Sequence, residues 1–362
     1  MPDRFLVSAV GAVIEIDVSR RDPSFHDRTY AAWTDAVYLG DRSADAVAVD
    51  RAEIDDEDAA LAVLSTDVTL LALAHRMGDE LWMLHAAGLA DDDGNVVVLS
   101  APSGTGKTTA ARHLSQRYAY ISDETIGIDA QGGVIPYRKP LSIIQPDRMH
   151  KAQIALSSLD GGRPVPEGLR VARIVVLDRS EDGPELPEVE QLDPVSALEL
   201  LAPQSSYLGR MQAPLHLIHS ILEATGGAVR VRYREVSTID DVIATLLRTD
   251  RSVVEVTARD SSRPVVESAA GYRRAEVVDE LQLADGRIAV LQRSADGTML
   301  RVLDGIGPSM WTAANGSTLD ELVSAVIAEH GAPDGIDAVQ VVDAAARQLL
   351  EDGLLERDPA QA

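Results

Sequence analysis

Residues 96 to 117 constrain this chain more than any other stretch. An apolar run, Val96-Val97-Val98-Leu99-Ser100, leads into Ala101-Pro102-Ser103-Gly104-Thr105-Gly106-Lys107-Thr108. Thr108–Arg117 then carries a helical pattern, and a short strand-like run, Tyr118–Ser122, comes next. A glycine-rich loop between a strand and a helix is built to hold phosphates. Gly104 and Gly106 let the backbone turn inward so that successive N–H groups face one anion, a concavity that bulkier residues obstruct. The helix behind the loop adds the partial positive charge of its N-terminus. Lys107 is expected to reach the β- and γ-phosphates and Thr108 to ligate Mg²⁺, with Ser103, Thr105 and Thr109 completing the nucleotide-binding set. ATP and Mg²⁺ are the expected cofactors.

A second constellation, Ser122-Asp123-Glu124, closes the strand after the loop helix. An acid on a neighbouring strand commonly organises the metal in such proteins. With two acids, one can hold Mg²⁺ while the other accepts a proton from an incoming hydroxyl. Asp123 is preferred to Glu124 as that base, and Asp123, Glu124 and Thr108 form the candidate metal set. His85 lies in the apolar run Leu81–Leu89, where it fits either a core residue or a neighbour of the γ-phosphate. Arg138, Lys139 and Arg210 fit solvated surface residues better than phosphate partners. The remaining histidines show no metal-ligand spacing.

Composition bounds the partners. A formal charge of −25 and 4% aromatic residues argue against nucleic acid, whose phosphates need clustered cations. There are no cysteines, which removes disulfides and thiol chemistry. Lysine occurs only at 107, 139 and 151 in an arginine-using chain, a bias that composition alone explains. The apolar stretch Phe5–Ile16 is interrupted by Glu15 and reads as a buried strand rather than a signal peptide. With no run approaching the ~20 apolar residues of a membrane span, a cytoplasmic location is expected.

A chain of 362 residues suggests two or three domains. Strands are expected at Ala9–Val18 and Ala46–Val49, and helices at Asp27–Val37 and Val63–Met77. The turn Asp91–Asn95 should join Leu81–Leu89 and Val96–Ser100 as a hairpin. Further on come a strand at Val171–Leu177, helices at Pro194–Leu201 and Leu215–Ala224, a strand at Ala228–Arg234 and a helix at Asp240–Arg248. Thr249–Arg263 is polar and aperiodic, as a linker would be. The pattern then restarts with short strands at Val265–Ser268, Glu276–Leu283, Arg287–Arg293 and Met299–Val302. Helices are expected after them at Pro308–Ala314, Leu319–His330 and Val339–Asp352.

Residues His85–Ile128, with His85, the loop and Asp123-Glu124 in that order, resemble the ATP-binding core of the HPr serine kinase family. The resemblance implies one active site containing His85, Lys107, Thr108, Asp123 and Glu124, and phosphorylation of a protein or peptide hydroxyl. Ile135–Ser142 departs from the second glycine-rich signature of the bifunctional members. The closer similarity is to divergent relatives associated with ribosomally made modified peptides. In the tail, Asp304–Trp311, Asn315–Leu322 and Leu349–Leu355 resemble the PqqD family, which implies binding of a leader peptide along a sheet edge among Glu276–Leu283 and Arg287–Arg293.

The expected fold is α/β. It comprises an N-terminal α/β extension (1–62), an HPr kinase-like P-loop core (63–250) and a small α+β, winged-helix-like PqqD domain (264–358). The expected function is an ATP-dependent peptide kinase acting on a Ser, Thr or Tyr hydroxyl of a precursor captured by the tail. The alternative is an ATP-binding adaptor that presents the precursor to other modifying enzymes.

Overall fold

In the computed structural model, which describes residues 1–102, 104–145, 149–159, 162–248, 271–295, 297–332, 335 and 337–357, the first apolar stretch is a hairpin rather than one strand. Strands β1 (Arg4–Ala9) and β2 (Ala12–Asp17) pair antiparallel through a two-residue turn. Val10 and Gly11 both have positive φ, +50° and +79°, as such a turn requires. A β-branched residue is costly there, and for that reason valine carries no turn signal in a sequence. Complete burial of the Val10 side chain and a 3.3 Å hydrogen bond from Arg76 to its carbonyl hold it in place.

Helix α1 (Pro23–Trp33) starts where Asp22 accepts the N–H groups of Ser24 and Phe25. Strand β3 (Ala46–Val49) adds parallel to β2. Helix α2 (Glu57–His75) is capped by Asp56. Its Leu61, Leu64, Val68 and Ala72 pack into one core with the hairpin, Trp33, and Leu81, Met83 and Tyr137 from later in the chain. The expected boundary at residue 62 therefore falls inside a helix, and the first strands share their core with residues beyond it. By length and composition α2 resembles a membrane span, but half of it is buried in this core.

The chain continues through β4 (Leu81–Leu84), β5 (Ala86–Ala90), β6 (Asn95–Ser100), α3 (Lys107–Leu114), β7 (Ala119–Ser122) and β8 (Ile126–Asp129). Then come β9 (Val134–Ile135), β10 (Leu141–Ile143), β11 (Ala152–Ile154), β12 (Arg170–Arg179) and β13 (Glu188–Gln191). Helix α4 (Pro194–Leu201), β14 (Ser205–Ser206), α5 (Pro214–Ala224), β15 (Ala228–Tyr233) and α6 (Asp240–Leu247) complete this compact unit, Met1–Val256. Among the described residues six strands form a mixed sheet ordered β13-β15-β12-β6-β5-β7. Its core joins Leu99, Val175 and Val231 to Ala110 and Leu114 of α3 and to Ile243 of α6. A second, antiparallel sheet runs β14-β4-β8-β9.

The expected single run Leu81–Leu89 is thus two strands in two sheets, broken at His85. Strands β7 and β8 cross between the same sheets at Asp123–Thr125. Because β5 pairs with β7 and β4 with β8, the two crossings lie side by side.

The second unit, Thr257–Ala362, contains β16 (Tyr272–Arg274), β17 (Asp279–Gln282), β18 (Ile288–Ser294), β19 (Gly297–Leu303) and α7 (Gly307–Ala313). It ends with β20 (Asn315–Ser317), α8 (Leu319–His330), α9 (Ala338–Glu351) and β21 (Leu355–Arg357). A capping box between Thr318 and Glu321 starts α8. Trp311, Leu322, Val342 and Leu349 fill the core. The expected strand Val265–Ser268, the linker Thr249–Arg263 and the bounds 264 and 358 lie outside the described residues. In the meander β17-β18-β19, β18 is paired along both flanks. Arg287–Arg293 therefore offers no free edge; β17 and β19 do among the described residues.

Replacing Leu64 by Ala should cost about 3 kcal/mol in denaturant unfolding, the usual result of emptying a fully packed leucine site. A loss below about 1 kcal/mol would mean that α2 does not share the core of the strands after it.

Candidate functional site

Strands β6 and β12 are parallel, and β5 is antiparallel to both β6 and β7, so β6, β7 and β12 all point the same way. Their C-terminal ends share one sheet edge, the place where open α/β sheets bind ligands. Strand β6 delivers the glycine-rich loop to that edge. Gly104 and Gly106 adopt φ of +85° and +99°, and a side chain built on Gly104 would meet nothing within 4 Å. Gly106 caps α3 without any side-chain hydrogen bond, and among the described residues the first N–H groups of the helix have no partner, the arrangement that suits an anion.

Lys107 is 6% exposed. Its ammonium donates to the Ala101 carbonyl and, at 3.3 Å, to the Pro102 carbonyl, which hold it inside the turn. Burial lowers its pKa, while the charges of Glu124 and Asp123 act in the opposite direction. The Thr105 hydroxyl also donates to the Pro102 carbonyl, at 2.6 Å, and is committed to the shape of the loop. Thr108 is half-buried in the first turn of α3, and Thr109 is exposed. Ser103 lies outside the described residues.

Arg179, at the end of β12, sits beside the loop. A Cβ on Gly106 would lie 3.7 Å from Arg179 Cδ and 3.9 Å from its Nη1. No loop motif in the sequence marks it; the parallel register of β12 on β6 brings it there. Of the cations considered from sequence, Arg138 instead lies 3.9 Å from Asp35 Oδ2, and Arg210 is exposed.

The paired acids differ sharply. Asp123 is 5% exposed, and its Oδ1 accepts the Tyr120 hydroxyl at 2.8 Å. Its Oδ2 takes no hydrogen bond among the described residues. Burial, reinforced by the Asp123 charge, pushes the Tyr120 phenol well above its ordinary value, so it stays a donor. Glu124 is clamped on both oxygens: His85 Nδ1 lies 3.3 Å from Oε1 and Lys139 Nζ 3.0 Å from Oε2. Burial alone would raise the Glu124 carboxyl, but hydrogen bonding to His85 and the charge of Lys139 outweigh it and hold it at about 2.

Lys139 is therefore a buried site residue, with a side chain 7% exposed, and the surface reading made from sequence is corrected. Its rarity was the signal, since two of the three lysines stand at this edge. His85 belongs to neither strand. It occupies the crossing, where its backbone N–H donates to the Gln204 carbonyl at 2.7 Å.

Against His85, Glu124 and Lys139 opens a cavity of about 640 Å³. Ser65, Thr66 and Thr69 of α2 form one wall and Gln204–Ser206 another. Thr69 and Tyr137 share a 2.7 Å hydrogen bond that ties α2 to the segment carrying Lys139. Among the described residues no three acidic or histidine side chains converge as a metal cage.

No protein-family model matches the chain. No curated protein matches it. Among solved structures it is similar to the HPr(Ser) kinase/phosphatase from Coxiella burnetii, at 15% identity and a TM-score of 0.24, over 46% of this chain and 93% of that one. At that score the site stands on its own geometry.

The Glu124 carboxyl is held at about 2 against an ordinary 4.5, so its ionised form contributes stability that is complete above about 4.5 and lost as the pH falls through about 2. The stability difference between the wild type and Glu124→Gln should accordingly shrink between about pH 6 and about pH 3 in denaturant unfolding. An unchanged difference would show that Glu124 is not clamped as an ion at this site.

Proposed function

We infer that this protein is an ATP-dependent kinase that phosphorylates a hydroxyl of a ribosomally synthesised precursor peptide captured by its second unit. The observation that carries the reading is a buried lysine in an uncapped glycine-rich loop, placed within electrostatic reach of two carboxylates of unlike environment. Uncapped helix N–H groups, the Lys107 ammonium and the nearby Arg179 guanidinium suit the phosphates of ATP. When bound, ATP supplies the γ-phosphoryl group, whose bond to the β-phosphate oxygen breaks as the acceptor oxygen bonds to phosphorus.

The chain's own residues divide the remaining work. Asp123, with one carboxylate oxygen unengaged, takes the acceptor's proton. Tyr120 fixes its orientation. Glu124, at about 2, is too weak a base for that role and instead holds His85 and Lys139 in place. Both Glu124 oxygens are engaged and the open Asp123 oxygen serves as the base, so Mg²⁺ would be held by the Thr108 hydroxyl with phosphate oxygens and water, since it keeps several waters.

Support for peptide capture comes from the PqqD-like pattern of the tail and from the edges of β17 and β19, unpaired among the described residues, to which an extended peptide can add as a strand. Tethering the leader raises the effective concentration of the attached acceptor.

Intact-mass analysis of the precursor encoded beside this protein's gene, incubated with the protein, ATP and Mg²⁺, should show one added phosphoryl group. Lys107→Ala should abolish the addition. Asp123→Asn should slow it at least about 100-fold while calorimetric affinity for ADP–Mg²⁺ changes by less than about threefold. A precursor that binds but gains no mass with the wild type would overturn the kinase reading and leave the second unit as an adaptor.

A further inference from the structure

The cavity beside His85, Glu124 and Lys139 has a composition at odds with the rest of the chain. The protein carries a formal charge of −25 and only three lysines, yet Lys139 and Lys151 both line this one cavity, together with His85 and His150. Among the described residues the lining contains a single carboxylate, Glu124, and both its oxygens are already engaged by His85 and Lys139. Lys151 makes no ion pair among the described residues and stands exposed at the margin. Unsatisfied positive charge thus faces a concave space in a molecule that is otherwise strongly negative.

The polar lining adds a second observation. Ser65 is 4% exposed, borders the cavity, and its side chain makes no hydrogen bond among the described residues. Its hydroxyl is not sealed off, so it faces the cavity and is available to a polar ligand there. Thr66 and Thr69 stand beside it on α2, a helix whose opposite stripe is packed with Leu61, Leu64 and Val68. A volume of about 640 Å³ falls within the range of sites that enclose small ligands or short segments of chain.

We propose that this cavity receives the phosphoryl acceptor, and that it selects an acceptor carrying a carboxylate, which pairs with Lys151 while the acceptor hydroxyl lies at the His85–Glu124 end. The proposal rests on the kinase reading for the word acceptor, but the carboxylate preference is a binding property and is tested apart from turnover. It also gives the N-terminal segment a task. Helix α2, packed on the first hairpin, builds the wall against which the acceptor lies. An acidic side chain of a peptide and a free hydroxy acid both bring such a carboxylate; the chemistry recognised is the same.

Three lysines make the test direct. Protein grown with lysine labelled with ¹³C at the ε-carbon gives three assignable signals, identified with the Lys107→Arg, Lys139→Arg and Lys151→Arg variants. N-acetyl-serylglutamate amide or glycerate should move the Lys139 and Lys151 signals saturably. The neutral counterparts, N-acetyl-serylglutamine amide and glyceramide, should bind at least about fivefold more weakly. Lys151→Ala, an exposed position, should remove most of that preference. Tighter binding of the peptide identifies a peptide acceptor, and tighter binding of glycerate a small-molecule one. Equal binding of charged and neutral probes, or no movement with either acid, overturns the proposal. ADP–Mg²⁺ should move the Lys107 signal. Silence there, with Lys139 and Lys151 responding to acids, removes the nucleotide reading but not the carboxylate site; the reverse pattern removes this proposal alone.

Discussion

A 3.1 Å hydrogen bond from the Ala86 N–H to the Glu124 carbonyl ties together the two points where the chain leaves one sheet for the other. Strands β4 and β5 cross at His85; β7 and β8 cross at Asp123–Thr125. Side chains at such crossings belong to neither sheet face, so they are free of the alternation that would send one of them into a core. His85 and Glu124 meet for this reason. Their meeting also explains why the half-buried Glu124 carboxylate stays ionised, since His85 and Lys139 each engage one of its oxygens.

Lysine is used sparingly in this molecule and concentrated in one region. Thirty arginines stud the chain, many paired with nearby acids on the surface, as Arg230 is with Glu190 and Arg232 with Glu188. Such exposed pairs contribute little. The three lysines are different: two are buried, and all three lie in the loop or along the cavity. A lysine ammonium is a compact charge with rotatable donors, whereas a guanidinium is a fixed planar fork. Inside the turn of a glycine-rich loop, or beside a single carboxylate oxygen, the compact charge fits.

The second unit presents a comparable polar cluster on a smaller scale. Glu280 of β17 accepts the Trp311 indole N–H at 2.8 Å and pairs with Arg274 at 3.0 Å, while the Arg274 guanidinium lies 5.4 Å from the Trp311 ring. The cluster anchors β17 to α7. The cluster thus holds β17, an edge strand among the described residues, in a fixed position on the unit.

Several parts of this molecule were legible in its residues. Local chemistry set them: the glycines and lysine of the loop, the run Val96–Ser100 before it, the helix α4 with Pro194 behind an Asp cap, and α8 behind its capping box. Each depends on residues within a few positions of one another, which a linear pattern contains. What tertiary structure alone decided has the opposite character. The turn at Val10 exists because packing outweighs a local preference that runs against it. The break at His85 is silent in sequence, because apolar residues continue through it and only the partners of each half, β8 and β7, separate them. Arg179 enters the site through the pairing of β12 on β6, and Lys139 through a loop held at Tyr137 to Ile121 of β7 and to Thr69 of α2. The cavity wall comes from α2, whose hydroxyls carry no signal of their own until the fold places them opposite Lys139. Sequence therefore determined the local geometry of the glycine-rich loop and its lysine; the neighbours of that loop were decided by long-range pairing and burial, which no local pattern records.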